Sequence, residues 1–215
     1  MKTKTILALV MTVGLVLGTQ AGVIVSETFD TDGTIADYTG AGEVFSAYSA
    51  AGPGAGTVSG GALTMSLTGG TETGNIYAHI GFGGTQSLVS MQMDFRGDSY
   101  GSATTPWLIV HGAFADIGDF NPGWNPNEGA RNWTKAHVSD GSPYPVTAED
   151  GTNTDHVDSG YAIGTWYTWT FYLNESGSTQ SFTGPDNASH SLSNERWSLF
   201  VGETQVADNV VKGTY

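Results

Sequence analysis

The stretch DFNPGWNPNEGARNWT, Asp119 to Thr134, holds two Trp, four Asn, two Pro and one Arg. Flat aromatic rings pack on the C–H faces of sugars, while Asn, Asp, Gln and Arg side chains pair with hydroxyls. Trp124, Asn125, Asn127, Arg131 and Trp133 therefore form a candidate ligand-binding loop. A core role for Trp124 is hard to arrange between Gly123 and Asn125-Pro126. The two Asn-Pro pairs favour extended, turn-rich backbone over helix. A second candidate lies in WYTWTFYLN, 166–174. Alternation along a strand sets Trp166 and Tyr172 on its outward side, with Tyr77, Gln92 and Asp94 as candidate neighbours.

The segments around these residues read as strands. In SLVSMQMDFR, Val89, Met91, Met93 and Phe95 share one face, and Ser90, Gln92, Asp94 and Arg96 the other. In 166–174, Tyr167, Trp169, Phe171 and Leu173 point inward, while Trp166, Thr168, Thr170 and Tyr172 point out. WLIVHGAFA, 107–115, is nearly apolar on both faces and is expected in a sheet centre. Further strands are expected over 23–29, 63–67, 76–82, 196–203 and 206–214, with a weak one at WTKAHVS, 133–139. The region 116–160 is otherwise irregular. Helix signals are nearly absent beyond the first residues, so the expected class is all-β: one antiparallel β-sandwich of jelly-roll type.

The start of the chain is different. Lys2 and Lys4 precede the apolar run Ile6 to Leu17, and Thr19-Gln20-Ala21 follows. That order is a secretory leader, with cleavage expected after Ala21, and the run is too short to span a bilayer. Residues 22–215 then form a single domain, expected to be secreted and free of membrane. The leader takes two of the seven basic residues, leaving five against 21 acidic ones, a net charge of about −16. Nucleic acid, anionic membranes and polyanionic polysaccharides are poor partners for such a chain, whereas neutral glycans or cations fit. With no Cys, thiol catalysis and thiolate metal sites are excluded.

SETFD near the start, then VSGGALTMSLTG, TWYTWTFYLNESG and finally QVADNVVKGTY form an ordered series. It resembles secreted bacterial jelly rolls of the concanavalin-A-like lectin/glucanase superfamily, laminin-G-like in style. The likeness is spread over most of 23–214 and implies two stacked antiparallel sheets, one concave. The same superfamily holds lectins, glycosidases, lyases and adhesion modules, so no activity follows from it. Many relatives end in a Pro-Glu-Pro motif, an apolar helix and a basic tail. These are not seen before Tyr215, which favours free secretion as the expectation.

In such a jelly roll the first and last strands are commonly neighbours. Glu27 and Asp30, with Asp32 nearby, would then meet Asp208 and Asn209 and could clamp a structural Ca2+ with hard oxygen ligands. Turn closure by Asp and Gly is the competing role for the same residues. The acidic run EDGTNTDHVD, 149–158, matches no calcium spacing and reads as a solvated loop.

Catalytic patterns are incomplete. The glucanases of the superfamily carry Glu-x-Asp-x-Glu or a close variant on one strand, and no Glu here is followed two positions later by Asp. MDFRGD sets Asp94, Arg96 and Asp98 on one face, where the Arg keeps both carboxyls ionised. A lyase set could draw on His79, Gln92, Arg96, His111 and Tyr172, but the family's cation-rich strands are missing and the net charge opposes an anionic substrate. No catalytic residue is assigned. The expected function is a secreted, non-catalytic carbohydrate-recognition or extracellular-matrix module binding neutral glycan. A jelly-roll hydrolase or lyase with an unrecognised site, and a matrix protein without a small ligand, are the alternatives.

Overall fold

Short runs that alternate apolar and hydroxyl-bearing side chains, punctuated by glycine, can bury one face only by pairing edge to edge and stacking. The computed structural model describes residues 11–17, 20–27, 29–38, 47–51, 56–65, 75–79, 88–97, 107–110, 134–138, 143–149 and 155–212. The strands are β1 (Met11–Leu17), β2 (Gln20–Glu27), β3 (Gly33–Thr34), β4 (Ala47–Ala51), β5 (Gly56–Ser59), β6 (Ala62–Met65), β7 (Asn75–His79), β8 (Leu88–Phe95) and β9 (Trp107–Val110). They continue with β10 (Thr134–Val138), β11 (Tyr144–Glu149), β12 (Asp155–Tyr161), β13 (Tyr167–Asn174), β14 (Gln180–Thr183), β15 (Ser189–Leu192), β16 (Arg196–Val201) and β17 (Thr204–Val211). One turn of 3-10 helix, Ile35–Tyr38, follows β3. Among the described residues, no helix is long and apolar enough to cross a membrane.

Two sheets make the body. The larger runs β17-β16-β13-β8-β1-β2 and the smaller β12-β11-β10-β9, and all of their described ladders are antiparallel. Their inner faces share one core. Met93, Phe95, Trp169, Phe171, Trp197 and Leu199 come from the larger sheet; Ala136, Val138, Tyr144, Val146 and Ala148 come from the smaller. Edge-to-face ring pairs lock the layers, Phe95 on Tyr144 at 6.5 Å and Tyr161 on Tyr167 at 5.1 Å between centroids. This is an antiparallel all-β sandwich, as the alternation predicts. From the inward faces expected for 88–95 and 166–174, Met93, Phe95, Trp169, Phe171 and Leu173 enter this core; the outward Thr170, Tyr172 and Asn174 are buried as well, on the other side of the sheet.

Small hairpins surround the body. Gly60 and Gly61 form the two-residue turn of β5–β6 with φ of 61° and 76°, a left-handed pair that matches the twist of the strands it joins. Asp32 accepts the Gly60 backbone N–H at 2.8 Å, and the Tyr38 hydroxyl bonds the Thr31 carbonyl.

Three expectations are corrected. The near-apolar 107–110 segment is at the end of the four-stranded sheet, not its centre; β10 is its one described neighbour. Within 116–160 the strand expected at 133–139 is present as β10, and two unexpected ones, β11 and β12, follow it. Part of the acidic run is strand as well: β12 begins at Asp155, and its backbone pairs with β11 while Asp155 and Val157 face solvent. Charged and polar side chains fit there because β12 is an edge strand needing one apolar face at most. A fourth placement concerns the leader. Residues 11–17 form β1, between β8 and β2 in the larger sheet.

Candidate ligand site on the outer face of the six-stranded sheet

The face of β13 turned away from the core carries Trp166, Thr168, Thr170 and Tyr172, with Asn174 at its end. Register fixes what stands beside each. Thr168 is opposite Asp94, Thr170 is between Gln92 and Phe200, and Tyr172 is between Ser90 and Ser198. The expected outward neighbours Gln92 and Asp94 are therefore in place. Tyr77 is elsewhere, on β7, whose described partner is β4. The Thr168 hydroxyl donates to Asp94 Oδ1 at 2.6 Å, which fixes that carboxylate on the floor. At the far end the Arg96 guanidinium carbon stands 4.8 Å from the Trp166 ring centroid, a cation–π contact. Trp166 is still 41% exposed.

The opposite end is closed by β14–β15. Phe182 stacks on Tyr172 at 4.0 Å between centroids, and Leu88, Leu192 and Phe200 complete a second apolar cluster beneath the hairpin. Tyr172 thus keeps its predicted face but not its predicted exposure. It is 8% exposed, and its hydroxyl approaches the Thr183 carbonyl at 3.4 Å. Burial, and then the charge of Asp186, pushes its phenol above the ordinary tyrosine value. It stays protonated and serves as packing surface.

The hairpin turn is built by its sequence, TGPDNASH. Pro185 presets the first corner, the Asn187 N–H donates to the Gly184 carbonyl at 3.0 Å, and Asn187 takes a left-handed φ of 62°. The Gly184 N–H donates to the Ala188 carbonyl, also at 3.0 Å. Asp186 accepts the Ala188 N–H at 3.1 Å and holds His190 Nε2 at 2.9 and 3.0 Å from its two oxygens. A Cβ on Gly184 would fall 2.6 Å from Asp186 Oδ1 and 2.9 Å from the His190 ring, so this clamp requires glycine there. His190 in turn stacks on Phe182 at 5.4 Å.

Between the Trp166 end and the hairpin lies an open depression of about 340 Å³, lined by Gln92, Thr168, Thr170, Tyr172, Gly184, Pro185 and Gly202. Its lining is hydroxyl, amide, one covered aromatic ring and the hairpin corner; the Asp94 carboxylate and the Trp166 indole stand further along the same face. Such a surface can form hydrogen bonds to a polyhydroxylated ligand and stack one of its faces.

The other predicted residues are placed differently. Trp124, Asn125, Asn127, Arg131 and Trp133 lie outside the described residues, as does His111. The calcium expectation needs both chain ends together, but Glu27 on β2 and Asp208 on β17 sit on opposite edges of the six-stranded sheet. Asp30 is exposed near the Thr31 hydroxyl at 3.5 Å, and Asp208 accepts from Gln205 at 2.9 Å. Among the described residues, no group of three or more His, Cys, Asp or Glu could hold a metal ion. His79 is on β7, away from Gln92 and Arg96 on β8, so the lyase set is not gathered on one sheet. The β14–β15 hairpin escaped the sequence reading. Its signal was there in Gly-Pro-Asp-Asn between two short alternating runs. No protein family, no curated protein and no solved structure matches this chain.

Proposed function

We propose that this chain is a secreted carbohydrate-recognition module of jelly-roll, concanavalin-A-like type that holds neutral glycan on the outer face of its larger sheet. One observation carries the reading. Asp94, Gln92 and Thr168 present polar groups side by side on neighbouring strands, with the buried Thr170 beside Gln92, and the half-exposed Trp166 indole stands at the end of the same face. The strongly acidic composition supports a neutral ligand over an anionic one. Cleavage after Ala21, part of the same proposal, would remove β1 and the first two residues of β2.

The test is an array of neutral and uronate-bearing glycans probed with the wild type, Trp166→Ala and Asp94→Ala. Binding to neutral glycans that weakens in both variants supports the reading. A blank array, or binding that both variants leave untouched, sinks it. Reducing ends or unsaturated uronates released during incubation would establish an enzyme instead.

A further inference from the structure

Resting on the glycan reading, we propose that the site takes a chain terminus of its glycan, not an internal segment. The ligand-facing groups line up along the strands. Trp166, just before β13, is followed by Thr168 and Thr170 on it, flanked on β8 by Asp94 and Gln92, and Tyr172 under Phe182 closes the row. From Trp166 to Thr170 this track is roughly 13 Å long at about 3.3 Å per residue. On the β16 side, opposite Thr170, stands Phe200, which is fully buried and offers no polar group. The polar groups of the track therefore come from β13 and β8, and it is directed along them.

Its two ends differ. At one end the indole is exposed and nothing described crosses the face beyond it. At the other, β14–β15 lies across the same face, with Phe182 seated on Tyr172 and the Gly184–Pro185 corner standing at the rim of the depression. The hairpin is not a loose flap. Apolar packing under Phe182 and Leu192 anchors it, and the Asp186–His190 contact braces its turn. A glycan laid along the track must stop at Pro185 and the Phe182-covered Tyr172, so its last unit occupies the space over Thr168 and Thr170.

The experiment uses gluco-, manno- and xylo-oligosaccharides of two to six units, each in three forms: free, coupled to a bulky fluorophore at the reducing end, and coupled to it at the non-reducing end. Binding is measured to the exported protein. The expected result is that one of the two blocked forms loses about tenfold or more in affinity while the other matches the free sugar. In Pro185→Gly that loss shrinks, because the corner no longer carries a ring against the blocking group. Hexamers that bind equally well in all three forms overturn the proposal and leave the glycan reading standing, as does a loss unchanged in Pro185→Gly. If no sugar binds in any form, the glycan reading falls and this inference falls with it.

Discussion

Tyr172 and Phe182 stack face to face, 4.0 Å between centroids and 25° from parallel, although one belongs to a central sheet strand and the other to a separate hairpin. This contact turns a flat sheet face into a bounded one. Removing it should separate the wall of the site from its floor. Phe182→Ala is expected to cost about 3 kcal/mol of stability, as truncations of buried aromatics do, and to weaken glycan binding as well. Chemical denaturation with a parallel binding assay checks both; full stability in the variant would mean that the hairpin is held by other contacts.

Trp166 is the opposite case. Its ring touches Arg96 but is largely open, so Trp166→Ala should leave the melting temperature within a degree or two while lowering glycan affinity about tenfold. A variant that melts much earlier would show that the indole is a packing residue.

The Asp186–His190 clamp predicts an acid-side effect on stability. Hydrogen bonding from His190 is the main reason the Asp186 carboxyl lies below its ordinary value of 3.8. A carboxyl with a depressed folded value adds stability that is fully present above 3.8 and is lost as pH falls through the lowered folded value. Asp37, lowered chiefly by the Thr34 backbone N–H, adds to the same window. Melting curves of wild type and Asp186→Asn between about pH 5 and pH 2 should converge as pH drops. Parallel curves would remove Asp186 as a contributor.

Lys212 closes the fold at the end of β17. Its ammonium is 4% exposed, 2.6 Å from Glu175 and 3.6 Å from Glu195, and its backbone N–H bonds the Glu195 carbonyl. The pair is neither fully buried nor free in solvent, so Lys212→Ala should cost about 2 kcal/mol, between the two limits. Glu195→Ala, at the longer and more exposed contact, should cost less. Urea midpoints of the two variants measure the order.

The leader assignment makes its own prediction. Among the residues whose side chains are described, the shared core draws on β8, β10, β11, β12, β13, β16 and β17. A chain beginning at Gly22 is expected to unfold cooperatively on that core. Mass spectrometry of the exported protein should find that same start. If the 22–215 chain fails to fold, β1 is an integral strand and the leader assignment is wrong.

Period-two alternation settled a good deal before any coordinates. In 88–95 and 166–174 it named the residues that face the shared core, Met93, Phe95, Trp169, Phe171 and Leu173, because a strand's pleat sends neighbours to opposite sides whatever lies beyond. It also set Gln92, Asp94, Trp166 and Tyr172 on the outward side. It could not say that 107–110 ends a sheet, because an apolar strand reads alike at the edge and in the centre. Nor could it bring Asp208 near to or far from Glu27, which depends on strand order.

Thus the local chemistry was legible: all-β class, strand faces, the Gly-Gly turn at 60–61 and the polar outward groups. These follow from steric and periodic rules that act within a few residues. Tertiary structure alone decided which outward groups became a site. Asp94 and Thr168 are 74 positions apart and meet at 2.6 Å only because β8 and β13 pair in one register. Tyr172 became a covered wall residue, not an exposed one, only because a hairpin from later in the chain folds back over it. Long-range pairing is a cooperative choice among many strand orders, and no short stretch of this sequence contains it.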